Sequence, residues 1–190
     1  MIQPAGSAAA TANQEQETIA RARQGDRQAF GMLAAHYQAA VVNVVYRMCG
    51  DLALAEESAQ EAFIKAWLHL ASYRPQFSFR SWLYRIAINT ALDVLRRRPT
   101  EAALDDLALA STLEGPEAAL ERRERAQQVR RAVLALPPAS RAVLVLREYQ
   151  GLSYQEIAAA LDIPLGTVMS RLNYARGQLR TALAAYLEEV

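Results

Sequence analysis

Apolar residues recur along this chain at helical spacing, and runs of alternating β-branched residues are almost absent. That pattern leaves little room for anything except packed helices, and the breakers divide the helices into a definite order. Gly25, Gly50, Pro75, Pro99, Gly115-Pro116, Pro137-Pro138, Gly151 and Pro164-Leu165-Gly166 are the interruptions. The spacing predicts a short helix over 14–24 and a second over 27–49, with Asp26 as cap and Phe30, Leu33, Tyr37, Val41, Val44 and Met48 on one face. A third runs from Asp51 to about Ser72. A fourth runs from about Phe79 to Arg98, where Pro99 stops it. Pro116 suits the first turn of a fifth helix to about Leu136. An all-α fold of two small helical domains follows: a leader over 1–13 expected to be disordered, a first domain over 14–99, an acidic linker over 100–116 and a second domain over 117–190.

Charge is distributed unevenly, although the formal total is only +1. Arg80, Arg85, Arg96, Arg97 and Arg98 face Asp93 alone in the segment after Pro75. Glu101, Asp105, Asp106 and Glu114 then make the linker acidic, and Arg171, Arg176 and Arg180 lie in an acid-free stretch near the end. Two polyanion-seeking patches are separated by an acidic segment. No apolar run reaches the roughly 20 residues a membrane helix needs. The small, polar N-terminal segment lacks the features of a secretory signal, so a cytoplasmic setting without membrane insertion is expected. The single cysteine, Cys49, can make no internal disulfide, and neither a metal site nor a cofactor motif is visible.

The last segment carries the strongest local signal. Ser153-Tyr154-Gln155-Glu156 reads as a capping box opening a short helix. A tight turn over 162–166 leads into a longer helix from about Thr167 to Leu187. This is the spacing of a helix-turn-helix, whose second helix enters the major groove of DNA. At 100° per residue, Val168, Leu172, Ala175 and Leu179 form its packing stripe, while Thr167, Ser170, Arg171, Tyr174 and Gln178 share another face. Arg176 and Arg180 lie on a flank, where phosphates would be met.

The fourth helix offers a second candidate surface. Phe79, Trp82, Leu83, Ile86, Thr90 and Val94 form an apolar stripe, on which Trp82 is read as core. Arg85, Asn89 and Arg96 align on the other side, with Asp93 and Arg97 beside them. Ahead of it lies a loop with Tyr73, Arg74, Phe77, Phe79 and Arg80. Rings next to arginines suit unstacked bases held by their backbone, but an ordinary core with a solvated helix end accounts for the same residues. On the third helix, Glu56, Glu57, Gln60, Glu61 and Lys65 form a polar face, either merely solvated or made for a partner.

Two blocks resemble a known family. Gln60-Glu61-Ala62-Phe63-Ile64-Lys65-Ala66-Trp67 and Ser81-Trp82-Leu83-Tyr84-Arg85-Ile86-Ala87-Ile88-Asn89-Thr90-Ala91 resemble the first conserved domain of extracytoplasmic-function (ECF) sigma factors. Gly151-Leu152-Ser153-Tyr154-Gln155-Glu156-Ile157-Ala158 and Pro164-Leu165-Gly166-Thr167-Val168-Met169-Ser170-Arg171-Leu172 resemble the second. The resemblance implies a non-catalytic subunit that brings RNA polymerase core to promoters. Glu56, Glu57, Gln60, Glu61 and Lys65 would contact the β′ clamp helices of the core, whose β flap is a further expected contact. Tyr73, Arg74, Phe79, Arg80, Arg85, Asn89, Asp93, Arg96 and Arg97 would read a melted −10 element. Thr167, Ser170, Arg171, Tyr174 and Arg176 would read the −35 duplex. An anti-sigma factor is an expected partner. Met169 and Tyr174 depart from the family pattern, which often has basic side chains at both places. A stand-alone duplex-binding regulator would explain residues 150–190 but not the loop aromatics, Asn89 or the acidic linker. An enzyme is disfavoured, since His36, His69 and Cys49 sit in no catalytic motif.

Overall fold

The computed structural model of the chain describes residues 6–75, 78–97 and 116–187. The acidic linker over 100–115, Phe77 and Arg98 lie outside the described residues. The described residues are helical without strands. In chain order the helices are α1 (Gly6–Arg23), α2 (Arg27–Cys49), α3 (Leu52–His69), α4 (Phe79–Arg97), α5 (Pro116–Ala135), α6 (Pro138–Leu144), α7 (Tyr154–Leu161) and α8 (Leu165–Leu187). A 3-10 turn over Leu70–Ser72 ends α3, and a π turn over Val145–Tyr149 prolongs α6. No helix among the described residues is long and apolar enough to cross a membrane.

Capping chemistry sets the helix ends where the sequence places them. Asp26 accepts from the backbone N–H groups of Gln28 and Ala29 at 2.9 and 3.0 Å, and Asp51 from that of Leu54 at 2.9 Å. Helix α1 begins at Gly6, well ahead of Gln14, so 6–13 are helical rather than part of a disordered leader. The alanines at 8–10 are the strongest helix formers available and carry the helix backward.

Helix α2 is the centre of the first unit, packed by α1, α3 and α4. Leu33, Tyr37, Val41, Val44 and Met48 are buried along it, as their spacing predicts, and Phe30 lies half-buried against Trp67. Helix α3 meets it through a stripe of small residues, Ala55, Ala59, Ala62 and Ala66. The fourth helix packs differently from its expected stripe. Phe79, Leu83, Tyr84, Ala87, Ile88 and Ala91 are buried, whereas Trp82, Ile86 and Val94 are half-buried. Tyr84 points inward because its hydroxyl finds a partner there, donating to Gln150 Oε1 at 2.7 Å.

That hydrogen bond crosses to the second unit, in which α8 packs on α5, α6 and α7. The units meet in two places: α4 against α7, and α2 against α5, α6 and the π turn. At the second junction Gly50 ends α2 in the left-handed region, with φ at 80°. A side chain there would be strained, and its Cβ would stand 2.7 Å from Leu134 Cδ1. Arg130 donates to the carbonyl of Gly50. Arg141, itself buried, donates to the carbonyls of Met48, Leu134 and Leu136. The last carbonyls of α2 are thus satisfied by guanidinium groups from the other unit.

Candidate nucleic-acid interface

Three surfaces carry the residues singled out by the sequence. The first is α8 and the turn before it. The capping box forms in full: the Glu156 N–H donates to Ser153 Oγ at 3.2 Å, and the Ser153 N–H to Glu156 Oε2 at 2.8 Å. The Ser153 N–H, with the Ser153 hydroxyl that donates to the same oxygen at 2.8 Å, holds the Glu156 carboxyl below its ordinary value. Helix α7 closes at Asp162, which takes left-handed backbone at φ 55°, and Pro164 accepts the first hydrogen bond of α8 from the Thr167 N–H at 2.9 Å. Val168, Leu172 and Ala175 are fully buried, so the opposite side of α8 is the one presented to solvent.

On that helix Ser170, Tyr174 and Arg176 are exposed, while Thr167 and Arg171 are half-buried. Arg176 is also engaged: Glu148 accepts from it at 2.7 Å, which raises the arginine's already high pKa. Sequence reasoning missed Asn173, which is exposed on the outward side beside Met169 and Tyr174. Its place between Met169 and Ser170 on the helical wheel, about 140° from Val168, was available as a signal.

The second surface is α4. Arg85, Asn89, Arg96 and Arg97 are exposed, Asp93 is half-buried, and Arg96 pairs with Asp93 at 3.3 Å. Arg74 is exposed and Arg80 half-buried. The aromatic rings ahead of α4 do not join this surface. Tyr73 and Phe79 are 6% and 3% exposed and pack with each other, Tyr37 and Trp82 at centroid distances of 5.4–5.7 Å. Their faces are taken by one another, so neither ring is open to stack on a base. They were expected there because loop aromatics beside arginines are ambiguous; burial resolves them as core.

The third surface is α3. Glu56, Glu57, Gln60 and Glu61 are exposed, and Lys65 pairs with Glu61 at 2.7 Å while also donating to Thr90 at 3.3 Å. Two residues missed from the sequence lie at its centre, Ile64 and Leu68, 61% and 69% exposed. They stand on the side opposite the buried alanine stripe, with Glu57, Gln60 and Glu61 around them. A helical wheel would have found them. Among the described residues no group of His, Cys, Asp and Glu could hold a metal ion.

Comparison with known proteins agrees with this arrangement. Residues 33–100 match Sigma-70 region 2, and residues 126–179 match Sigma-70, region 4. The RNA polymerase sigma-H factor of Pseudomonas aeruginosa is 39% identical over 191 residues, spanning 94% of this chain and 98% of that protein. The ECF RNA polymerase sigma-E factor of Escherichia coli is 39% identical over 175 residues, 85% of this chain and 90% of that one. Among solved structures, CnrH in complex with the cytosolic domain of CnrY is similar over 90% of this chain and 97% of that chain, with a TM-score of 0.69 and 27% identity. The sigma factor RpoE in complex with the anti-sigma factor NepR from Bartonella quintana shares the fold at 20% identity, with a TM-score of 0.63 over 82% and 96% of the two chains. The two sigma regions in their order, and relatives matched along almost the whole chain, place it in the sigma-70 family, as an alternative sigma factor of the ECF branch that directs transcription initiation.

Proposed function

We propose that the three surfaces divide the work of promoter recognition. The α3 face, with Glu56, Glu57, Gln60, Glu61 and Lys65 around Ile64 and Leu68, binds RNA polymerase core at the β′ clamp helices. The α4 face, with Arg85, Asn89, Asp93, Arg96 and Arg97, supported by Arg74 and Arg80, holds the −10 strand once it is melted. The exposed side of α8, with Ser170 at its centre, Tyr174 beside it and Thr167, Arg171 and Arg176 at its edges, enters the −35 major groove. The second unit also meets the β flap. The chain catalyses no reaction of its own. Binding energy realised on the unstacked −10 strand drives opening.

One observation favours this reading over a regulator that binds duplex DNA alone. Ile64 and Leu68 form an apolar centre rimmed by acidic and amide side chains, the layout of a protein interface and of no use to a polyanion. Such a face calls for a protein partner presenting basic and apolar side chains. By analogy with the Bartonella quintana sigma factor RpoE, which is solved bound to the anti-sigma factor NepR, an anti-sigma factor is a second partner. The closed arrangement also bears on control. Arg85 is paired with Asp162 of the other unit, an exposed contact that a −10 strand would have to displace.

The test is reconstitution. Core polymerase loaded with this chain should initiate at a discrete set of genomic promoters that core alone ignores. Initiation at none of them, beside a working control sigma factor, would refute the assignment. Tight, sequence-specific binding of duplex by the chain without core would favour the stand-alone regulator instead.

A further inference from the structure

We propose that Asn173 is the central base-reading residue of α8 and reads an adenine in the major groove, with Met169 set against the methyl group of a neighbouring thymine. The inference rests on the assignment of α8 to the −35 duplex and adds which base pair that helix is built to select.

One side of α8 faces away from its packing stripe of Val168, Leu172 and Ala175. Gly166, Ser170, Asn173 and Gly177 fall at i, i+4, i+7 and i+11, which returns them to one strip about 60° wide. All four are exposed, and a Cβ at either glycine would meet nothing within 4 Å. A helix whose outermost strip consists of short side chains can seat its backbone deep in a groove. A short side chain partway along the strip then reaches a base edge. Met169 and Tyr174, 46% and 48% exposed, stand on either side of the strip as walls.

Chemistry selects among the four. The glycines present no side chain. The Ser170 hydroxyl donates to the Thr167 carbonyl at 3.1 Å, so its proton is used within its own helix and its oxygen can only accept. Asn173 alone in the strip offers a donor and an acceptor together, and no hydrogen bond within the described residues engages its carboxamide. A carboxamide pairs bidentately with adenine, accepting from N6 and donating to N7, and matches no other base edge as well. The arginines that would favour guanine are off the strip: Arg171 is half-buried and Arg176 is held by Glu148. The exposed thioether of Met169 has no polar group to offer, and the thymine methyl is the one apolar feature of the groove.

A promoter library randomised across the −35 element and transcribed by reconstituted holoenzyme would test this. Wild-type protein should enrich adenine at one −35 position, and Asn173→Ala should lower that preference roughly tenfold there while leaving other positions as they were. Asn173→Arg should move the preference at the same position to guanine, a gain that no folding defect imitates. Met169→Ala should weaken a thymine preference at a nearby position. An adenine preference that survives in Asn173→Ala, or an Asn173→Arg profile unchanged from wild type, overturns the inference while leaving −35 reading intact. The absence of any −35 preference in the wild-type protein would overturn the −35 assignment itself.

Discussion

Arg85 of α4 and Asp162 at the end of α7 form a salt bridge of 3.3 Å between the two helical units. It joins a residue assigned to the −10 strand with the residue that turns the chain into α8. The pair is open to solvent, with side chains 44% and 82% exposed, so its contribution is small. The stronger tie lies at the other junction. There Arg141 is buried, its pKa lowered by that burial, and its guanidinium spans the carbonyls of Met48, Leu134 and Leu136.

Substitutions at the two junctions should therefore behave differently. Asp162→Asn keeps a residue tolerant of left-handed backbone and removes only the charge, so thermal stability should shift by less than about 1 kcal/mol. Arg141→Met fills much of the same volume but leaves buried carbonyls without donors, at a cost of about 3 kcal/mol. Calorimetric unfolding of both variants decides the matter. An Asp162→Asn loss as large as that of Arg141→Met would mean the exposed pair, not the buried guanidinium, joins the units.

The capping box ties stability to acid. Glu156 titrates below its ordinary value of 4.5, chiefly because the Ser153 N–H donates to its carboxylate. A carboxyl lowered in the folded state stabilises above its unfolded value, and that stabilisation disappears as pH falls through the folded one. Below about pH 4.5 the wild-type midpoint should fall more steeply than that of Glu156→Gln. Ser153→Ala should cost about 1 kcal/mol at neutral pH through loss of the cap. Parallel acid-side slopes for wild type and Glu156→Gln would count against the linkage.

The sequence made the helices legible because their signals are local: caps at Asp26, Asp51 and Ser153, and breakers at Gly50, Pro99 and Pro164. It made the outward residues Arg85, Asn89 and Ser170 legible through periodicity. Tyr73 and Phe79 were misplaced because a ring beside an arginine reads the same whether its face meets a base or another ring. Only the packing of Tyr37 and Trp82 against them decides it. Arg141 carried no signal, since its partners are backbone carbonyls, one of them on a distant helix. Ile64 and Leu68 belong to no charged or polar pattern that draws notice in the sequence, although the wheel alone puts them opposite the alanine stripe.

Cys49 should be chemically quiet. Burial pushes its thiol up to about 11 from an ordinary 9.0, so almost no thiolate exists at neutral pH. A coloured disulfide reagent should label the native protein negligibly below pH 9 and fully after denaturation. Rapid stoichiometric labelling at pH 7 would instead mark Cys49 as a reactive thiol.

The α3 face makes the last prediction. Ile64 and Leu68 touch little within the chain, so replacing either with a polar residue should leave the unfolding midpoint nearly unchanged. If they are the apolar centre of the polymerase interface, Ile64→Gln or Leu68→Gln should weaken core binding by about 1–3 kcal/mol, the range of central interface residues. Competition against a labelled sigma factor for core enzyme measures that loss directly. Asn89→Ala provides the contrast: it lies on α4, so core affinity should hold while open-complex formation, followed by reactivity of unpaired −10 bases, declines. If the α3 variants compete as well as wild type, the polymerase contact belongs to the charged rim of Glu57, Gln60 and Glu61 and not to its apolar centre. If Asn89→Ala loses core affinity in step with opening, α4 is part of the polymerase interface and its assignment to the −10 strand fails.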